Sequence, residues 1–119
     1  MGYGRGRQGM GVFTVGDVVT IPFPFSDLSS EKLRPAVIVA KADFNDLIFC
    51  QITSKDRSKN SAVKLTPGNF KKGKLNLVSF ARPDKLFTGD ASIIVKNYGS
   101  LNDVTKRDLL DSIRNLFND

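Results

Sequence analysis

None of the 119 residues is a histidine, and Cys50 is the only cysteine. Ser-His-Asp and Cys-His catalysis are therefore excluded, as are an intrachain disulfide and a cysteine-rich zinc site. Any side-chain chemistry falls to arginine, hydroxyl and carboxylate groups. Arg34 precedes Pro35 at the head of the apolar run Ala36-Val37-Ile38-Val39-Ala40. A guanidinium donates two parallel hydrogen bonds and so fits phosphate oxygens. Its pKa, above about 12, makes it a poor general base. A second polar group, Gln51-Ile52-Thr53-Ser54, ends another apolar stretch and leads into Lys55 and Arg57. Further on, Arg82 and Lys85 flank Pro83-Asp84, and Asp27 and Glu31 are the carboxylates nearest Arg34 in the chain.

Each of these residues also has an ordinary role. Arg34 fits a solvated or ion-paired surface position, and Thr53 a β-former or turn residue. Lys55 and Arg57 read as solvated loop charges. Arg82 and Lys85 can pair with Asp84 or Asp90. Cys50, between Phe49 and Gln51, reads as a buried, inert thiol.

The elements that must position these groups are short strands. Asp17–Ile21 is rich in β-branched residues, and Pro22 and Pro24 place its continuation at a sheet edge or end its pairing. A polar loop over 26–32 leads to a strand opening at Pro35. Leu47–Thr53 is a third strand, Ala62–Leu65 a fourth and Leu77–Ala81 a fifth, extending through Asp84–Phe87. Ile93–Tyr98 is a further strand, bounded by Gly99. The period then changes. Asn102 caps a helix that sets Leu109, Leu110, Ile113, Leu116 and Phe117 on one face, with Leu101 as a staple before the cap. Phe23 and Phe25 read as packing residues. Five to seven strands closed by one helix predict a mainly β fold, a small barrel or two packed sheets.

Length fits one domain over 12–119. The first eleven residues carry five glycines, Arg5 and Arg7 and no apolar run, which predicts a disordered head. The chain holds 18 basic and 12 acidic residues, a net +6 at a pI near 9.7, and without the head the body keeps +4. Such a balance favours a polyanion or an acidic partner. No apolar stretch is long enough to span a bilayer, and the lone cysteine fits the reducing cytoplasm.

Four segments, in order, resemble the MazF/PemK toxin family. Gly16-Asp17-Val18-Val19-Thr20-Ile21-Pro22-Phe23-Pro24-Phe25-Ser26-Asp27-Leu28 is similar to its opening strand and loop, and Lys32-Leu33-Arg34-Pro35-Ala36-Val37-Ile38-Val39 to its "RPAVVV" strand. Gln51-Ile52-Thr53-Ser54 resembles its "ITS" segment, and the stretch 77–87 resembles a later strand of the PemK-like branch. The resemblance implies an SH3-like barrel with a C-terminal helix, usually dimeric. It implies the toxin of a type II toxin–antitoxin pair: an endoribonuclease cutting single-stranded RNA with sequence preference and without metal or other cofactor. Its partner would be an acidic antitoxin laid over the RNA-binding surface. Carried over, Arg34 and Thr53 become active-site residues. Gln51, Ser54, Lys55, Arg57, Arg82 and Lys85 become candidate RNA contacts, and Asp27 or Glu31 the candidate general base. Where some branches carry a histidine in the first loop, and an Arg and an Asp on the later strand, this chain has no histidine and sets Ser79 and Ala81 near the latter places. A catalytically inactive module that binds RNA or an acidic protein is the alternative expectation.

Overall fold

A computed structural model describes residues 13–24, 31–57 and 61–118. The expectations for residues 1–11, Phe25 and Asp27 lie outside them, and so does the side chain of Glu31. Seven strands form one antiparallel sheet: β1 (Asp17–Pro24), β2 (Glu31–Lys41), β3 (Asp46–Thr53), β4 (Val63–Leu65), β5 (Phe70–Gly73), β6 (Ser79–Asp90) and β7 (Lys96–Leu101). Helix α1 (Asp103–Asn115) follows. The spatial order β4-β6-β3-β2-β1-β7-β5 curls into a nearly closed barrel. This is the expected mainly β barrel with its C-terminal helix.

The alternation of apolar residues along the central strands gives the sheet two buried faces. On one, Val18, Val37, Cys50, Ile52, Ala81 and Leu101 pack with Leu109 of α1. On the other, Val19, Ile21, Ala36, Ile38 and Phe49 pack together. Phe87 joins this second core. Its ring lies edge-on to Phe23 at 4.8 Å and stacked on Phe49 at 5.3 Å. Phe23 is thus a packing residue, as its place between prolines suggests.

The prolines mark where pairing stops. β7 accompanies β1 only from Asp17 to Thr20, so Pro22 and Pro24 have a strand neighbour on the β2 side alone. β3 begins to pair with β2 only at Ala36, so Pro35 too is flanked on one side. A missing N–H is tolerated there because it faces no partner strand. Strand β2 starts at Glu31, earlier than the expected Pro35, because β1 alone can pair this stretch. Pro83 falls where β6 bulges, between the pairs Ile52↔Ala81 and Cys50↔Leu86.

Two elements depart from the sequence pattern. Phe70–Gly73, which the lysines make look like a loop, is strand β5 and pairs with β7. The two chains approach so closely that a Cβ on Gly73 would lie 1.9 Å from the Tyr98 carbonyl oxygen, and one on Gly99 2.0 Å from that of Lys72. Both glycines also hold positive φ, 73° and 137°. Gly99 therefore lies within β7 and permits its pairing, where the sequence suggested a strand end. Residues 91–93 form a 3₁₀ turn, which delays β7 to Lys96.

Helix α1 begins as expected, with the Asn102 side chain accepting the Thr105 N–H at 2.8 Å. Thr105 is buried and its hydroxyl meets Asn69 Nδ2 at 2.9 Å, which ties the helix to the turn before β5. Leu109 is buried, and Leu110 and Ile113 lean on the same core. Leu116 and Phe117 follow the last helical turn and are exposed, because the α1 stripe runs out before it reaches them. Asp17, only 4% exposed, is held by Thr14 N and Oγ1, Ser100 Oγ and Asn97 Nδ2 at 2.7–3.4 Å. Four donors compensate the loss of water around this carboxylate and bind β1 to β7.

Gly99→Ala should lower stability by about 2–4 kcal/mol, since it adds both backbone strain and a clash with β5. Urea unfolding measures this. A change under about 0.5 kcal/mol would contradict the close β5–β7 approach.

Candidate active site

The parting of the ladders leaves an opening. Beyond Thr20 and Pro35, β1 and β2 continue as a two-stranded ribbon, while β3 ends at Thr53 and β7 begins at Lys96. A cleft of about 380 Å³ lies there. Thr20, Arg34 and Pro35 line it from the β1–β2 strands, and Ile52 and Ser54 from the end of β3. Leu75, Asn76 and Leu77 come from the β5–β6 connection and Ser79 from the start of β6, and Lys96 and Tyr98 come from β7 with Val95 just before it. Leu33 completes the lining, and Leu33, Leu77 and Val95 are 56–66% exposed, so the rim is apolar.

Electrostatically the cleft is one-signed. Its described lining holds two cations, Arg34 and Lys96, and no carboxylate. Arg34 is half-buried and its Nε is sealed from solvent, so part of the guanidinium's hydration is already lost. Charge interactions strengthen in such a setting. The Lys96 ammonium lies 4.7 Å from the centre of the Tyr98 ring. The hydroxyl of Ser79 donates to the Leu77 carbonyl at 2.9 Å and so shapes the loop that forms one wall.

The residues singled out by sequence divide into three groups. Arg34 and Ser54 line the cleft. Thr53 and Gln51 stand beside it on β3. Two residues past the last β2–β3 pair, the register would set Thr53 opposite Arg34, but the strands have parted. Thr53 Oγ1 accepts the Lys55 N–H at 3.2 Å, and Gln51 lies opposite Ala36. Arg57 and Arg82 meet elsewhere, in a pocket of about 250 Å³ with Ser61, Ala62, Asp84 and Leu116. There Arg82 Nη2 donates to Asp84 at 3.0 Å, so the arginine takes its ordinary ion-pair role. Partial burial works against the Asp84 carboxylate. The hydrogen bond and charge of Arg82 outweigh it and hold the carboxyl below its usual range. Lys55 and Lys85 are exposed and line neither pocket.

Lys96, Tyr98 and Asn76 escape a reading by motif. They sit in a strand and a loop with nothing unusual locally, and only the sheet order brings them to Arg34. Ser79 was marked by position but not by role. No group of three or more metal-ligating side chains occurs among the described residues.

Cys50 is buried, and its Sγ lies 3.0 Å from the Arg82 carbonyl oxygen. Burial pushes its thiol up to about 12. Native protein at pH 8 should therefore leave Cys50 unmodified by a disulfide reagent, with one thiol appearing on denaturation. Rapid reaction of the folded chain would contradict the burial.

A small, nearly closed antiparallel barrel with one C-terminal helix is the fold of MazF toxins. The MazE–MazF complex of Deinococcus radiodurans superposes with a TM-score of 0.69 at 16% identity, over 88% of this chain and 95% of the toxin chain. Mycobacterium tuberculosis toxin MazF-mt6 gives 0.62 at 19%, over 84% and 96%. A mycobacterial endoribonuclease in complex with its cognate antitoxin gives 0.65 at 16%, over 85% and 90%. No curated protein sequence matches the chain. Residues 14–117 match the family described as PemK-like, MazF-like toxin of type II toxin–antitoxin system, and the chain belongs to that family.

Proposed function

We propose that this protein is the toxin of a type II toxin–antitoxin pair and an endoribonuclease that cuts single-stranded RNA without metal. The observation that carries the reading is a cleft lined by Arg34 and Lys96, with no carboxylate among its described residues. A polyanion is the ligand such a cleft fits.

The reaction is an in-line displacement. The 2′-hydroxyl oxygen attacks the adjacent phosphorus while the bond to the 5′-oxygen breaks. A 2′,3′-cyclic phosphate and a 5′-hydroxyl result. Positioning and charge stabilisation supply most of the rate. Arg34 neutralises the extra charge of the phosphorane through two parallel N–H donors. Thr53 orients the 2′-hydroxyl or bonds the same phosphate once RNA displaces its turn contact. The proton from the 2′-oxygen goes to Asp27 of the β1–β2 connection or to Glu31 at the start of β2, and the departing 5′-oxygen takes a proton from solvent water. Ser54 contacts RNA inside the cleft. Gln51, Lys55, Arg57, Arg82 and Lys85 extend the path along the surface toward the second pocket. The working form is a cytoplasmic homodimer, and an acidic antitoxin silences it by covering the basic face.

A non-catalytic reading draws on one observation. Two hydroxyls that sequence singled out, those of Thr53 and Ser79, are engaged with backbone. RNA would then bind and remain intact.

Purified protein should cleave single-stranded RNA in EDTA. Arg34→Ala should slow this by about 100-fold or more without moving the thermal midpoint, and Arg34→Lys should not restore it. Full activity in Arg34→Ala, or cleavage that EDTA abolishes, would sink the mechanism. A gel shift with intact RNA would establish the non-catalytic reading.

A further inference from the structure

The second cation of the cleft has no counterpart in the motifs that point to Arg34. Lys96 is the first residue of β7 and pairs with Thr20, whose other neighbour across β1 is Pro35. Lys96 and Pro35 are thus two strand spacings apart, about 10 Å, and Arg34 adjoins Pro35. Both side chains line the same cleft. Of the described lysines, Lys96 alone lines it. Its ammonium is not spent on a carboxylate in the cleft; it rests 4.7 Å from the centre of the Tyr98 ring. Tyr98 in turn packs against the core beside Leu101. A ring so anchored restricts the lysine chain and leaves its charge available. An ion pair would have restricted it by neutralising it, as Asp84 does to Arg82.

We propose that Lys96 is the second phosphate anchor of the cleft, positioned by Tyr98, and binds a backbone phosphate next in line to the one held by Arg34. This rests on the ribonuclease reading. Arg34 would then serve the reacting phosphate and Lys96 the register of the strand. Loss of Lys96 should raise KM far more than it lowers kcat.

Binding is measured on mixed-sequence single-stranded DNA, which lacks the attacking 2′-hydroxyl and stays uncut, between about 50 and 200 mM salt. Lys96→Gln should reduce the slope of log affinity against log salt by about 0.7, the value for one phosphate contact on a single strand. Across that range the salt-induced loss of affinity then shrinks by about 2.6-fold. Lys96→Arg should restore the slope, and Lys72→Gln, which removes the same charge outside the cleft, should not change it. In parallel, wild-type cleavage of RNA in EDTA tests the underlying reading by itself. If wild type cleaves RNA and binds DNA while Lys96→Gln keeps the full slope, the anchor is overturned and the ribonuclease reading stands. If Lys72→Gln lowers the slope as much as Lys96→Gln, the effect is one of net charge and the anchor is overturned. If wild type neither cleaves nor binds, both fail together.

Discussion

The structure depends on where its ladders stop. Strand β1 loses its β7 partner after Thr20, and β2 gains its β3 partner only from Ala36. The β1–β2 ribbon therefore runs past the sheet. Pro22, Pro24 and Pro35 lie on that overrun, where an absent N–H leaves no donor missing from a ladder. Continuous pairing at this point would put β3 beside Arg34 and close the cleft. The fold keeps the cleft open by withholding backbone hydrogen bonds at one end of the sheet. It offsets that loss with two fully buried apolar faces further along.

The same geometry sorts the charges. Arg34 and Lys96 come from strands on either side of β1 and line one cleft with Thr20 and Pro35. Arg57 and Arg82 are directed to a separate pocket, where Asp84 already engages Arg82. One basic region thus lines the cleft, and in the other Asp84 partly neutralises Arg82. The +6 of the chain says only that some polyanion or acidic partner is favoured. Its distribution puts two cations, Arg34 and Lys96, in the cleft, with no carboxylate in the described lining.

Much of the barrel was legible because its central strands are runs of β-branched and aromatic residues, and the helix because Asn102 and the Leu109, Leu110, Ile113 spacing mark it. Strand β5 was hidden. Phe70-Lys71-Lys72-Gly73 has no alternation, and its pairing depends on two glycines 26 positions apart meeting backbone to backbone. The helix end misled for a related reason: periodicity continues through Leu116 and Phe117, but the core beneath them does not. Within the site, Arg34 could be found because the motif around it is local. Lys96, Tyr98 and Asn76 could not, since their proximity to Arg34 follows from strand order alone. Thr53 stands at the expected strand end, between the lining residues Ile52 and Ser54, and its hydroxyl oxygen accepts the Lys55 N–H of a turn.

The central claim is that this cleft drives attack of a 2′-hydroxyl on its neighbouring phosphate with arginine in place of histidine or metal. Mapping the chemical ends of RNA fragments produced in EDTA tests it most directly. The account predicts 2′,3′-cyclic phosphate and 5′-hydroxyl ends, and no cut where the 2′-hydroxyl of the cleaved position is replaced by hydrogen. Fragments bearing 5′-phosphate and 3′-hydroxyl ends, or cutting that continues at the 2′-deoxy position, would contradict it.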